Sequence, residues 1–176
     1  MNEQVHTFGG ELERQKAEAV RWRLWYEKKF ATALDVATPE EDLRGVDFWD
    51  IGLFGRRSLQ LKIDFQSDKY HNFFLERWIE DDYGRRPGWS EKMDADEFWF
   101  VQPVHNHAVC VPREDMLVLY AAAKERQELR GPVHNRDPLT GRTWRAYGYP
   151  VKVARFVAAG SHFDLPAPYF SEAGAG

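Results

Sequence analysis

Residues 45–65 read GVDFWDIGLFGRRSLQLKIDF, and this stretch indicates two neighbouring β-strands. Residues 46–54 have the apolar and aromatic composition of a strand, and the glycine and two arginines at 55–57 predict a turn. Residues 58–65 alternate between apolar and polar side chains, which is typical of a strand with one buried face. The stretch therefore predicts two adjacent strands within a small sheet.

Three polar residues fall at one edge of this predicted strand pair. Gln60 and Lys62 are two positions apart, so their side chains point to the same face, which we expect to be the more polar one. Asp47 precedes Gln60 by 13 positions and lies on the neighbouring strand. A carboxylate, an amide oxygen and an ammonium group placed together can hold a divalent metal ion beside a phosphodiester and stabilise the charge that develops during its hydrolysis.

The rest of the sequence predicts a single α/β domain over residues 1–176, in which helices flank a central mixed β-sheet. Apolar periodicity and turn residues predict these elements: helices over 12–34 and 114–129; strands over 72–79, 98–104, 108–111 and 150–158; a loop over 84–89; a basic irregular insertion over 130–150; and loose tails over 1–10 and 171–176.

The charge distribution is uneven along the chain. The formal net charge is −4, which argues against a generally basic nucleic-acid-binding protein. Between residues 124 and 152, however, seven Lys or Arg residues stand against three Asp or Glu residues. A basic segment on an acidic body fits an enzyme whose carboxylates gather at a metal site and whose loop contacts phosphate, although a solvated polar loop would have the same composition.

Aromatic residues and cysteine usage indicate an ordinary globular interior. Aromatic side chains make up 15% of the sequence, which we attribute chiefly to a large aromatic core, with base stacking as the functional alternative. The single cysteine, Cys110, excludes an internal disulfide and a cysteine-based zinc site, and its apolar surroundings predict a buried, inert thiol. Without a long apolar stretch or a signal-peptide pattern, the chain is expected to be soluble and cytoplasmic.

The sequence from the first predicted helix to about Leu119 resembles the PD-(D/E)xK nuclease superfamily, whose members have the restriction-endonuclease-like fold. The "GVDF" strand with Asp47 corresponds to the aspartate motif, and Gln60-Leu61-Lys62 stands at the place of the acid-x-Lys triplet. Downstream, HNFFLE at 71–76 and DADEFWF at 94–100 are similar to segments of phage and prophage members.

The resemblance implies a role for each motif residue. Asp47 would be the bridging metal ligand and Gln60 the second ligand to Mg²⁺ or Mn²⁺, while Lys62 would orient the attacking water and stabilise the transition state. Gln60 departs from the usual acid, and a neutral amide binds a hard cation more weakly than a carboxylate. Asp64 and Glu76 are the carboxylates that could compensate.

Other assignments stay open at this level. The family carries a glutamate on its leading helix, and Glu18 matches that place, whereas Glu27 lies at the centre of the apolar face, where an unpaired carboxylate would be costly. Asp50 could take the part of Asp47. His-x-His at 105–107 could chelate zinc, but no further Cys or His ligand lies nearby in the sequence.

Arginine beside tryptophan in glycine-rich loops suits phosphate pairing combined with base stacking. The residues expected to contact nucleic acid on this ground are Arg85, Arg86, Trp89, Arg136, Arg142 and Arg145. A buried tryptophan that anchors its loop, with the arginines in solvent, is an equally good explanation.

The resemblance implies a Mg²⁺-dependent deoxyribonuclease, with DNA as its partner and a homodimer as an assembly common in this fold. Two alternatives stay open: a catalytically degenerate nucleic-acid-binding or protein-interaction module on the same fold, and an α/β domain of unrelated function in which Asp47 and Lys62 are structural.

Overall fold

A computed structural model describes residues 8–53, 55–126, 128–136 and 142–167. Its helices are α1 (Phe8–Phe30), α2 (Pro39–Asp42), α3 (Ser67–Tyr70), α4 (Arg113–Arg126) and α5 (Val153–Ala159), with a 3₁₀ turn at Trp89–Glu91. Its strands are β1 (Leu34–Val36), β2 (Phe48–Gly52), β3 (Gly55–Ile63), β4 (Asn72–Asp81), β5 (Gly84–Pro87), β6 (Glu97–Gln102), β7 (His107–Pro112), β8 (Arg130–Arg136), β9 (Thr143–Lys152) and β10 (Ser161–Asp164).

Six strands form a mixed sheet in the order β1-β2-β3-β6-β7-β10. The β3–β6 pair is parallel, and all the other neighbours in this sheet are antiparallel. The predicted α/β class with a mixed central sheet and flanking helices is therefore confirmed. The turn between β2 and β3 comes slightly earlier than predicted, because Arg56 and Arg57 are already paired with β2.

A second sheet has the order β5-β4-β9-β8, and here the sequence analysis was partly wrong. The predicted irregular insertion over 130–150 contains strand β8 and most of β9, and the predicted loop over 84–89 contains β5. These segments are rich in Gly, Pro and Arg and lack strict alternation. Strands β5 and β9 pair with the long strand β4, and β8 pairs with β9. These pairings provide the hydrogen bonds, so tertiary context outweighs local propensity.

The predicted last strand over 150–158 is also only partly present. The strand ends at Lys152, and residues Val153–Ala159 form helix α5. Two valines give this segment strand-like composition, but the helix buries Phe156 between Phe73 and Phe100, at ring-centroid distances of 5.0 and 4.7 Å. Burial of one large ring thus favours the helix over the local preference.

The two faces of the six-stranded sheet carry two aromatic clusters. On one face, Trp22 and Tyr26 of α1 pack with Trp99 of β6. On the other face, Phe98 and Phe100 pack in a cluster that also contains residues of β4, β9, α4 and α5, so that both sheets share it. The high aromatic content of the sequence is thus largely accounted for by the core.

No helix within the described ranges is both long enough and apolar enough to span a bilayer.

Candidate functional site

An open cleft of about 1280 Å³ is lined by residues of both sheets and of helix α1. Three residues bring opposite charges to its surface: Asp47, which immediately precedes β2, Lys62 on β3, and Glu76 on β4. Around them the cleft is lined by basic and aromatic side chains, namely Lys16, Arg86, Trp89, Arg142 and Trp144. The structure therefore brings Asp47 and Lys62 together, as the strand spacing predicts, and adds Glu76.

Asp47 is held by the neighbouring strand. Its Oδ2 accepts a hydrogen bond from the Leu61 amide at 2.6 Å, and its own amide donates to the Leu59 carbonyl at 2.8 Å. Burial raises the pKa of Asp47 above its usual value, and the nearby carboxylate of Asp42 acts in the same direction. The charge of Lys62 and the Leu61 hydrogen bond oppose this rise without cancelling it. The ionised form of Asp47 is therefore less stable in this site than it would be in water.

Glu76 is in a similar situation on the opposite wall. Burial raises the pKa of Glu76, while the charge of Lys62 and a hydrogen bond from the Trp89 amide act to lower it. The β4–β9 ladder shifts register just after Glu76, and such bulges commonly redirect side chains at sites. The 3₁₀ turn approaches this strand so closely that a Cβ at Gly88 would lie 2.4 Å from the Glu76 carbonyl oxygen. The turn and strand are therefore packed as one unit.

Lys62 connects the two carboxylates electrostatically, since its charge acts on both Asp47 and Glu76. Its Nζ lies 5.3 Å from the centroid of the Trp89 ring, within the range of a cation–π contact. The side chain is half-buried, so its charge is only partly screened by solvent. One ammonium group between two carboxylates of raised pKa is the central electrostatic feature of the cleft.

Gln60 differs from its predicted position. It shares a face with Lys62, but it is only 2% exposed and does not line the cleft, because the turn at Gly45 covers it. Gly45 has a φ of +88°, and a Cβ there would lie 2.6 Å from the Lys92 carbonyl oxygen and 3.1 Å from Gln60 Nε2. The Oε1 atom of Gln60 is buried without a hydrogen-bond partner among the described residues. Such an atom costs about 1–3 kcal/mol unless a water or ion satisfies it.

The two helix glutamates do not reach this cleft. Glu18 lines a separate groove, and its Oε2 lies 2.7 Å from Arg21 Nη2. Glu27 accepts hydrogen bonds from the Leu34 amide and from Arg23 Nε, each at 3.0 Å. The assignment of Glu18 as a metal ligand is therefore corrected. Among the α1 residues whose side chains are described, those that line the cleft are Gln15, Lys16 and Ala19, and none of these three is a carboxylate.

Asp50, the alternative to Asp47, lies on the opposite face of the sheet. It is 1% exposed, and its carboxylate accepts hydrogen bonds from Tyr26 Oη at 2.9 Å, from Arg57 Nη2 at 2.6 Å and from Thr32 Oγ1. Burial alone would raise the pKa of Asp50, but these hydrogen bonds outweigh it and hold the pKa below its usual value. Asp50 is a saturated structural carboxylate.

Two further acidic residues, Asp64 and Asp96, also have structural partners. Asp64 accepts hydrogen bonds from the Gln66 and Ser67 amides at 2.7 and 2.8 Å and so stabilises the turn into α3. Asp96 accepts from the amide and the hydroxyl of Ser58, both at 2.8 Å. Of the two carboxylates that could compensate for Gln60, Glu76 lines the cleft together with Asp47 and Lys62, and the charge of Lys62 acts on it.

The arginines expected to contact nucleic acid cluster on the second sheet, where they pair with two acidic residues. Arg85 and Arg145 lie 3.7 and 3.2 Å from Glu80, and Arg86 and Arg142 both pair with Asp81. Of these four, Arg86 and Arg142 line the cleft.

Two candidates remain. Trp89 lines the cleft. Its ring also packs on Phe98 and Phe100, with ring centroids at 6.5 and 6.1 Å, and these contacts hold the 3₁₀ turn against the core. Arg136 belongs to β8, but its side chain lies outside the described part of the structure.

The donor atoms at the cleft suit a hard cation. Asp47 and Glu76 offer carboxylate oxygens at the surface of the cleft. Oxygen-only donor sets favour Mg²⁺ or Mn²⁺ over zinc. The residues present therefore fit such an ion, with Glu76 as the second carboxylate.

A tighter group of metal-ligating side chains lies elsewhere, at His107, His162 and Asp164. The expectation that His107 lacks further ligands was wrong, because strand β10 brings His162 and Asp164 beside it. The separation of 55 positions between His107 and His162 hides this arrangement from local sequence patterns.

Comparison of the chain with family models, with curated proteins and with solved structures found no match.

Proposed function

We propose that this protein is a metal-dependent nuclease that hydrolyses DNA phosphodiester bonds in the cleft formed by Asp47, Lys62 and Glu76. The observation that carries the proposal is the position of Lys62 between two carboxylates whose pKa values burial has raised. Carboxylates of raised pKa beside a lysine in a cleft are typical of catalytic sites. The resemblance to the PD-(D/E)xK superfamily supports the same conclusion, as does a mixed sheet that carries the motif residues at β2 and on β3.

Asp47 and Glu76 would hold the cation, since both offer carboxylate oxygens to the cleft. When bound, a divalent cation supplies the positive charge that makes water a better nucleophile and neutralises the phosphate. Glu76 comes from the second sheet, so the acid that the resemblance places in the motif triplet would here be supplied by another strand. A carboxylate from Glu76 would supply the metal ligand that glutamine at position 60 cannot.

Lys62 would act as a fixed, positively charged hydrogen-bond donor. Its ammonium group would orient the attacking water and stabilise the additional negative charge on the phosphorus-bound oxygens in the transition state. In the reaction, the water oxygen forms a bond to phosphorus, one ester P–O bond breaks, and the products are a phosphomonoester and a hydroxyl group. The cation–π contact with Trp89 limits the freedom of Lys62, which favours preorganisation.

Arg86 and Arg142 are placed to contact the phosphate backbone, because both line the cleft. Both pair with Asp81, which holds the two guanidinium groups close together. The aromatic rings of Trp89 and Trp144 offer stacking surfaces in the same cleft. DNA with an accessible backbone is therefore the proposed substrate.

A second candidate is a DNA-binding module without catalysis on the same fold. The observation that favours it is Gln60, which is neutral and buried beneath the Gly45 turn instead of facing the cleft. In that case the arginines of the second sheet would bind DNA, and Lys62 would only contribute charge. Cleavage and binding assays distinguish the two functions.

The decisive experiment measures cleavage of supercoiled, linear and single-stranded DNA with Mg²⁺ or Mn²⁺, for the wild type and for Lys62→Ala. We expect metal-dependent cleavage by the wild type and at least a ~100-fold loss in the variant, since a transition-state donor is typically worth that much. Lys29→Ala is the matched control, because Lys29 is an exposed lysine on α1 and does not line the cleft.

Each other result has a definite meaning. A folded wild type that binds DNA but does not cut it would favour the binding module. Equal cleavage by the wild type and by Lys62→Ala would refute the proposed site.

A further inference from the structure

The far edge of the six-stranded sheet carries a second group of side chains that can bind a metal ion. His107 begins β7, and His162 and Asp164 lie on the neighbouring edge strand β10. The antiparallel register places Asp164 directly opposite His107, and His162 opposite Val109. Because His107 and Val109 are two positions apart on one strand, all three potential ligands project from the same face.

The distances within this group approach those of a bound ion. His107 Nε2 lies 3.2 Å from Asp164 Oδ1, and the ring centroids of His107 and His162 are 4.5 Å apart. One ligand atom from each residue lies within 4.8 Å of the others. In a tetrahedral zinc site with bonds of about 2.0–2.2 Å, the ligand atoms are separated by roughly 3.3 Å. Small side-chain rotations would therefore close the group around an ion.

We propose that His107, His162 and Asp164 form a binding site for a divalent cation of the zinc class. Two imidazole nitrogens and one carboxylate are donors that zinc prefers and that Mg²⁺ does not. Three protein ligands leave a fourth position for water or for a group of a binding partner. The side chains of His107 and Asp164 are 40% and 84% exposed, so an ion can enter without opening the fold.

The zinc-class site and the proposed catalytic site are distinct in place and in chemistry. Strands β6 and β7 separate β3 from β10, which at about 4.8 Å per strand puts roughly 14 Å between the β3 and β10 backbones. The cleft offers oxygen donors, whereas this edge offers imidazole nitrogens. The ion would also link β10, a strand of four residues, to β7 and so stabilise the edge of the sheet.

The test is calorimetric titration of ZnCl₂ into protein prepared without a histidine tag, in excess MgCl₂ so that the oxygen site is saturated. We expect one zinc ion per chain and a higher melting temperature in its presence. His162→Ala should weaken zinc binding by more than about tenfold, since even outer-shell partners of metal sites are worth that much. His134→Ala is the matched control, because His134 is exposed on β8, in the other sheet.

A second measurement separates loss of binding from loss of folding. Without metal, His162→Ala should melt at the same temperature as the wild type, because the residue is exposed. With Co²⁺ as a probe, the wild type should show the visible absorption of a low-coordinate site, and the variant should not. The proposal is wrong if zinc does not bind saturably, or if His162→Ala binds it as tightly as the wild type. Loss of zinc binding in Asp47→Asn alone would place the ion in the cleft and also refute the proposal.

Discussion

Asp47 and Asp50 are three residues apart in the sequence, yet they lie on opposite faces of the sheet in opposite electrostatic environments. The carboxylate of Asp50 accepts hydrogen bonds from Tyr26, Thr32 and Arg57, and these partners hold its pKa low. Asp47 faces the cleft, where burial and Asp42 raise its pKa despite the charge of Lys62.

The difference separates a structural carboxylate from a functional candidate. A buried carboxylate with a full set of donors stabilises the fold, and its removal leaves those donors without a partner. A buried carboxylate with too little positive charge around it costs stability in the absence of a ligand. Groups of the second kind are retained where a cation or a reaction uses them. The comparison can be tested with substitutions at both positions.

The largest expected effect is on stability at Asp50. Asp50→Ala should lower the free energy of unfolding by about 3 kcal/mol, because it leaves the buried Tyr26 hydroxyl and the Arg57 guanidinium without their shared partner. The loss stays at the lower end of the usual range because Arg57 is 50% exposed and keeps its ion pair with Glu97. Urea unfolding followed by tryptophan fluorescence measures it. A loss below about 1 kcal/mol would show that the network is not structural.

A smaller effect of opposite sign is expected at Asp47. In buffer with EDTA at pH 7, Asp47→Asn should raise the free energy of unfolding by up to about 1 kcal/mol, because it removes a charge that burial and Asp42 disfavour. Mn²⁺ should then raise the melting temperature of the wild type but not of the variant. Asp94→Asn is the control, since it removes one charge from an exposed position. Clear destabilisation by Asp47→Asn would mean that Asp47 is structural.

The smallest effect is a difference in pH dependence between the two aspartates. The pKa of Asp50 is lowered by folding, so its stabilising contribution is present above the unfolded pKa of about 3.9 and is lost as pH falls through the folded pKa. The pKa of Asp47 is raised by folding, so ionisation of Asp47 reduces stability as pH rises from about 3.9 through the folded pKa. In EDTA, the stability gain of Asp47→Asn should therefore grow with pH across this window. A gain that is constant with pH would contradict the assignment.

Part of the site was predictable because it depends on local pattern. Alternation along residues 58–65 and the 13-residue spacing were enough to bring Asp47 and Lys62 into one region. The same alternation placed Gln60 correctly on the face of Lys62 but not at the surface. The turn that covers Gln60 comes from Gly45 and from the backbone at Lys92, which no periodicity along β3 can indicate.

The errors share one cause, which is that they depend on how distant elements pack. Glu18 was chosen on the resemblance alone, and the packing of α1 against the sheet places it in a separate groove instead of the cleft. Helix α5 and strand β8 are determined by burial of Phe156 and by pairing with β9 rather than by propensity. Glu76 could be considered from the sequence only as one of two alternatives.

Strand periodicity and residue type alone were thus sufficient to predict the α/β class, the β2–β3 strand pair and the proximity of Asp47 and Lys62. Each of these features depends on residues that are neighbours along one strand or on two adjacent strands. Only long-range packing determines the remaining features: the position of Glu76 as the second carboxylate, the structural role of Asp50, and the contact between His107 and His162. The physical reason is that burial and electrostatic environment depend on which elements meet in space, and a strand pattern contains no information about its distant partners.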